Sequence, residues 1–186
     1  MRKEGHIDTA VKIMERFAEL TGLSPEGKSP KRYLWTDAYA VCNFLGLYGE
    51  TGDMRYRDLA LRLVDQVHTV LGRYREGGPR TGWISGLGEE EGTAHPTKGG
   101  LRIGKTLDER GPADPIDERR EWDRDGQYYH YLTKWMHALN RVSAVTGDLT
   151  YNSWAMELAK AAHRGFVYTV PGTDVKRMYW KMSIDL

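Results

Sequence analysis

The chain of 186 residues holds one cysteine, no charge excess of either sign and no apolar run long enough to cross a bilayer. A lone cysteine forms no intrachain disulfide, so the fold must rest on its core. Cys42 lies in an apolar run and reads as a small core hydrophobe, in keeping with a reducing compartment. Lysine plus arginine number 27 against 26 for aspartate plus glutamate, which supplies no field to gather nucleic acid or an anionic membrane. The N-terminus, Met1-Arg2-Lys3-Glu4-Gly5-His6, is charged and is not followed by the apolar stretch of a secretion signal. No segment approaches the roughly 20 apolar residues of a membrane span. A cytoplasmic protein with neither nucleic acid nor membrane as partner is the expectation.

What is present is the composition of a folded chain, 40% hydrophobic and 28% charged, long enough for one domain over residues 1–186. From Ile7 the residues Ala10, Val11, Met14, Phe17 and Ala18 recur at helical spacing, and Gly22 closes the run before Ser24-Pro25. Ser29-Pro30 is the next start signal. The helix it predicts, from Tyr33 to Tyr48, is apolar nearly all round and must be covered on most sides. After Thr51-Gly52-Asp53 comes an amphipathic helix with Tyr56, Leu59, Ala60, Leu63, Val64, Val67 and Leu71 on one stripe. A long loop follows, about residues 76–123, which carries Gly77-Gly78-Pro79, Gly99-Gly100 and Gly111-Pro112 without a sustained period; loops of that length are functional or disordered. A second helix rich in large side chains begins near Asp125, the expected N-cap, and ends at Thr146-Gly147-Asp148. One more amphipathic helix carries Tyr151, Trp154, Ala155, Leu158, Ala162 and Phe166, and the tail Val175 to Ile184 alternates weakly, as a strand or an approach to another helix.

The two Thr-Gly-Asp stretches superpose at a shift of 95 residues, Asp53 on Asp148, and the match extends to Tyr56 on Tyr151, Ala60 on Ala155, Leu63 on Leu158 and His68 on His163. A unit of covered helix, turn and half-exposed helix is therefore repeated. Covered helices inside and amphipathic ones outside make a ring of hairpins, an α/α-toroid.

On Tyr33-Leu34-Trp35-Thr36-Asp37-Ala38-Tyr39, the two hairpins closed by Thr-Gly-Asp and the aromatic helix after Trp122-Asp123, the chain resembles the six-hairpin glycosidase superfamily and its relative, the N-acylglucosamine 2-epimerase family. The resemblance spans about residues 6–170 and is one of architecture rather than of a catalytic signature. It implies an all-α fold, a partial α/α-toroid of about five helices with a long central loop. Rings of that kind use six hairpins, so the resemblance implies the N-terminal part of a longer toroid, or a half-ring completed by self-association. The implied function is a carbohydrate-active enzyme of the glycoside hydrolase type with paired carboxylates, or part of one, acting on a small-molecule sugar. A sugar epimerase or isomerase with a histidine proton shuttle and a non-catalytic helical binding module are the alternatives.

Within such a ring the polar residues of the covered helices face a central cavity. Asp37, among Trp35, Ala38, Tyr39 and Val41, is expected to be desolvated or paired, which raises a carboxyl toward general-acid use or marks a structural aspartate. Asp123 is the second carboxylate; a gap of about 5 Å between the pair would imply retention and about 6.5–9.5 Å inversion. His130, Lys134, His137 and Arg141 line one helix face, as cavity groups or as a solvated stripe, with His130 the proton shuttle of the epimerase reading. His130 and His137 stand about 10 Å apart along the axis, too far to share a metal ion, and neither metal nor cofactor is expected. Trp35, Tyr39, Trp122 and Tyr128 suit sugar stacking as well as core packing. In the segment His95 to Lys105, Arg102 is the candidate clamp for a carboxylate or phosphate; its glycines are not read as a phosphate loop, because no Gly-Lys-Ser/Thr opens a helix there. Glu89-Glu90-Glu91 reads as a solvated turn.

Overall fold

A computed structural model describes residues 2–111, 115 and 117–186; Pro112 of the long loop lies outside them. Among the described residues five long helices carry the fold: α1 (Arg2–Leu20), α2 (Leu34–Thr51), α3 (Met54–Leu71), α6 (Tyr129–Thr146) and α7 (Leu149–Phe166). Two short ones, α4 (Glu89–Ala94) and α5 (Glu118–Glu121), interrupt the long loop. The strands are brief: β1 (Gln127–Tyr128) pairs antiparallel with β4 (Lys181–Met182), and β2 (Val167–Thr169) with β3 (Lys176–Met178). The fold is all-α, and the weak alternation of the tail resolves into two short strands.

The repeat is reproduced in helix length and in the contacts of its turns. α2, α3, α6 and α7 each run 18 residues, and each hairpin turns through one glycine, Gly52 at φ 71° and Gly147 at φ 76°. Asp53 then caps α3 by accepting from Arg55 N at 2.9 Å, and Asp148 caps α7 by accepting from Thr150 N at 2.8 Å. Thr51 and Thr146 donate back to the carbonyls of Leu47 and Val142 and accept from the amides of Asp53 and Asp148. Thr-Gly-Asp is thus a complete device: a hydroxyl closes one helix, glycine reverses the chain in the left-handed region, and aspartate opens the next helix.

α2 packs along α6 and against α3, α6 along α7, and α1 covers α2. The N-terminal ends of α2 and α6 meet, since the rings of Tyr33 and Trp35 touch that of Tyr131. The core runs through this layer from Met14 and Ala18 to Phe44, Leu63, Trp135 and Phe166. His68 lies inside it. Trp135 Nε1 donates to His68 Nε2 at 3.1 Å, the Trp154 ring stands edge-on at 5.0 Å, and burial pushes the imidazole pKa down to about 3. Its partner in the repeat, His163, is exposed, so the sequence match does not extend to environment.

Three expectations are corrected. α2 starts at Leu34 behind Tyr33, not at Ser29-Pro30, whose segment leads in as bends and extended chain. α2 is also open along one flank, where Thr36, Tyr39, Asn43, Gly46 and Glu50 are exposed. Finally α6 is preceded by Tyr128, not capped by Asp125. A corresponding outcome concerns the loop, which is packed rather than loose: Trp83, Ile84, Leu101 and Ile103 are buried.

Because both turn glycines sit at positive φ with open space around a would-be Cβ, Gly52→Ala and Gly147→Ala should act through backbone strain alone. Each should lower stability by about 1 kcal/mol, read as a shift in urea midpoint with unchanged slope, and the two losses should add.

Candidate functional site

One stretch of the long loop builds the end of the molecule where α2 and α6 begin. Arg102 N donates to Leu71 O at the end of α3, Ile103 O accepts from Leu34 N at the start of α2, and Ile103 N donates to Gly126 O on the way into α6. Asp125, nearly solvent-free, takes the Arg102 guanidinium at 2.5 Å and the amides of Gly104, Lys105 and Gly126. Gln127, fully buried, accepts from Leu101 N at 2.9 Å and donates to Gly99 O at 3.0 Å and Ile184 O at 2.7 Å. The loop, the tail and three helix ends are pinned together by these groups.

On this base lies an aromatic platform, a run of touching rings with Tyr128 buried at its middle. Tyr39 meets Trp35 at 5.2 Å between centroids, and Trp35 meets His130 at 5.6 Å. His130 stacks on Tyr128 at 5.6 Å and 14°, Tyr128 stacks on Trp180 at 5.1 Å and 25°, and Trp180 meets Trp122 at 5.3 Å. Tyr131 lies beneath, its hydroxyl 2.6 Å from that of Tyr33; burial and this contact push its pKa up. Trp122 and Trp180 are 58% and 53% exposed, so faces remain for a ligand. Together with Glu121 and Lys181 they line a cavity of about 280 Å³. Lys181 donates to the carbonyls of Glu121 and Arg124.

The structure links the four residues singled out for sugar stacking through His130 and Trp180. Trp35, Tyr39 and Trp122 keep accessible surface in this run, whereas Tyr128, expected to stack a sugar, is buried between His130 and Trp180 and packs as core; His130 is exposed, and partial desolvation of its ring lowers its pKa. Lys134 and His137 continue from His130 as an exposed stripe down α6. Arg102 is buried and committed: it donates to Val70 O, Arg73 O and Asp125, which makes it a structural clamp rather than a ligand clamp.

Asp37 and Asp123 fall in opposite environments. Asp37 is 1% exposed. Its Oδ2 accepts from Tyr33 N at 2.9 Å and lies 3.8 Å from Arg32 Nε. Burial pushes the carboxyl pKa up to about 7, against the pull of Arg32 and of the Tyr33 amide. Asp123 is exposed, and its carboxylate has no ion pair among the described residues. The first is a protonatable group sealed behind the platform, the second an accessible carboxylate at its rim.

Residues 99–106, Gly-Gly-Leu-Arg-Ile-Gly-Lys-Thr, have the spacing of a phosphate loop, but no helix follows Thr106. Moreover the amides from Gly100 to Lys105 already donate to Thr97, Gln127, Leu71, Gly126 and Asp125, so no cradle of free N–H groups exists. Sequence reasoning missed Tyr131, Trp180 and Lys181. Trp180 was visible as an aromatic in the alternating tail, but only the β1–β4 pairing brings it to Tyr128. A larger cleft of about 530 Å³ lies apart, lined by Tyr74, Arg80, Glu109 and Asp185 among others; Arg80 is paired there with both acids.

No family model, curated protein or solved structure matches this chain.

The two shifted buried groups oppose each other in pH. Asp37 holds its proton more tightly folded than unfolded, so its contribution is full below pH 3.8 and is lost as pH rises to about 7. His68 binds its proton more weakly folded, so its contribution is full above pH 6.5 and is lost as pH falls toward 3. Between pH 4 and 6.5 the slopes offset. Asp37→Asn should leave stability rising with pH across that window, and His68→Gln should leave it falling, by urea denaturation at successive pH values.

Proposed function

We propose that this chain forms part of a carbohydrate-active α/α-toroid of the glycoside hydrolase type, acting in the cytoplasm, and that its aromatic platform is where a saccharide ring stacks. The observation that carries this reading is the unbroken run Tyr39–Trp35–His130–Tyr128–Trp180–Trp122. Flat amphipathic rings with exposed faces bind the C–H face of a sugar, while hydroxyl, imidazole and carboxylate groups at the rim take its hydroxyls. The starts of α2 and α6 lying side by side support reading the two hairpins as consecutive units of such a ring. In this reading Asp123 is the acid/base group within reach of a substrate and His130 the neighbouring proton carrier, the latter being the shuttle of the epimerase alternative.

A second reading is favoured by the closure of Asp37. A carboxyl at 1% exposure touches no substrate, so within these 186 residues one member of the carboxylate pair is withheld from catalysis. A saccharide-binding module without turnover accommodates that fact directly.

Titration of the intact chain with mono- and oligosaccharides, followed by tryptophan fluorescence and calorimetry, tests the platform. Trp35→Ala and Trp180→Ala should each weaken binding about threefold to tenfold with circular dichroism unchanged. If no saccharide perturbs the wild-type signal, the reading fails. Where a glycoside is turned over, Asp123→Asn should abolish the reaction; persistence of turnover overturns the assignment of Asp123 as the acid/base group.

A further inference from the structure

Glu121, Trp122, Trp180 and Lys181 line one cavity of about 280 Å³, and the fold fixes both of its sides. Glu121 ends the short helix α5, which Asp117 caps by accepting from the amides of Arg119 and Arg120, and Trp122 follows it. Trp180 and Lys181 come from the tail: Trp180 O accepts from Tyr129 N at 3.1 Å, and Lys181 opens β4 opposite Tyr128 of β1. Lys181 Nζ joins the two sides by donating to Glu121 O at 2.6 Å and Arg124 O at 3.2 Å. The indoles of Trp122 and Trp180 meet at 5.3 Å between centroids and keep more than half of their surface exposed. A site tied in this way is in place before a ligand arrives.

The charged pair in this wall is held slightly too far apart to satisfy itself. Of the three N–H groups of Lys181, two are spent on the carbonyls. The remaining contact, to Glu121 Oε2, is 3.5 Å, at the outer limit for a hydrogen bond. The other carboxylate oxygen, Oε1, is closed to solvent and faces Arg110 Nε at 3.3 Å and Arg124 Nε at 3.8 Å, which anchors the carboxylate on the side away from the lysine. An oxygen atom about 2.8 Å from both Nζ and Oε2 bridges the gap, accepting from the first and donating to the second. A hydroxyl does both. A carboxylate has no proton for Oε2, and an ammonium has no lone pair for Nζ. Burial lowers the Lys181 pKa against the pull of Glu121, which makes its ammonium a stronger donor than a solvated one.

We propose that Glu121 and Lys181 are the specificity-determining pair of the saccharide site, and that together they read one ring hydroxyl of a neutral pyranose lying against Trp122 and Trp180. The cavity falls just below the range of pockets that enclose drug-sized ligands, so it takes a single ring. Stacking on the indoles accepts many sugars, whereas the pair chooses among them by the presence of one hydroxyl. The inference rests on the saccharide reading above and adds to it the residues that set the choice of sugar.

The test screens methyl glucoside, galactoside and mannoside on the intact chain by tryptophan fluorescence and calorimetry, then compares the tightest with its monodeoxy analogues and its uronate. One monodeoxy analogue should bind about tenfold more weakly than the parent, the loss of a single hydroxyl held by two charged groups. Glu121→Gln should shrink that gap to about threefold with circular dichroism unchanged, because a hydroxyl donates less strongly to an amide than to a carboxylate. If the amide variant fails to fold, Glu121→Asp keeps the charge toward Arg110 and Arg124, withdraws the oxygen, and should shrink the gap as well. Trp180→Ala should weaken parent and analogue alike and preserve the gap. Monodeoxy sugars that all bind like the parent, or a gap that the Glu121 variants leave at tenfold, overturn the assignment while the platform reading stands. Uronate binding about tenfold tighter than the parent overturns the choice of a neutral sugar, and absence of binding by all three glycosides overturns both readings together.

Discussion

The buried pair of Arg102 and Asp125 is the constraint on which the functional end of the molecule depends. Two charges taken out of water are costly, and their mutual attraction seldom recovers the loss unless the remaining donors and acceptors are filled. Here they are filled by backbone. Asp125 accepts three amides, and Arg102 donates to two carbonyls at the end of α3. All of these bonds except that from the adjacent Gly126 amide join segments twenty or more residues apart, so the pair acts as a specifier of geometry more than as a source of net stability. Together with the backbone bonds of Ile103 and the Gln127 side chain, it holds the chain between Leu101 and Lys105 against the starts of α2 and α6. That hold frames the relative placement of Trp35, Tyr128 and Lys105.

The hairpins were legible in the sequence because each of their determinants is local. Thr51-Gly52-Asp53 and Thr146-Gly147-Asp148 carry a hydroxyl, a left-handed residue and a cap within three positions, and the apolar spacing on either side sets 18-residue helices. Where the determinant is not local, reading failed. Asp125 has the side chain of an N-cap, yet Gly104 and Lys105, some twenty residues earlier, compete for its oxygen and win. Ser29-Pro30 has the form of a helix start, yet the Leu34 amide is taken by Ile103 of the distant loop and the helix begins there. The loop itself reads as aperiodic because its buried residues, Trp83, Ile84, Leu101 and Ile103, fill gaps between helices and follow no repeat of their own.

The candidate site was half legible for a related reason. Large aromatics clustered in sequence at the start of α2 and α6 do cluster in space, since adjacent helix starts need no long-range information beyond the repeat. Polar residues could not be sorted the same way. Asp37 and Asp123 look alike in sequence and differ in space by the whole distance from core to solvent, and Arg102, chosen for its charge, is enclosed. Burial of a charged side chain is decided by partners, and the partners here, Asp125 for Arg102 and Arg32 for Asp37, come from other elements. His68 and His163 make the same point within the repeat: equivalent in register, one is sealed between two tryptophans and the other is exposed.

The open flanks of α2 and α6 connect the fold to the proposed function. α2 exposes Thr36, Tyr39, Asn43 and Gly46, and α6 exposes His130, Lys134, His137 and Arg141. These stripes are polar or small apart from Tyr39, so they are not faces waiting for an apolar helix to cover them; a helix laid there would strand charges away from water. If the two hairpins are consecutive units of a ring, the stripes line its hollow, and that hollow is wet along its length and aromatic at one end. Water then competes for every hydrogen bond a sugar could make along the stripes, whereas stacking on Trp35, Trp122 and Trp180 gains from displacing it. Affinity would therefore concentrate at the helix starts, with the stripes serving a longer chain only as it leaves the platform.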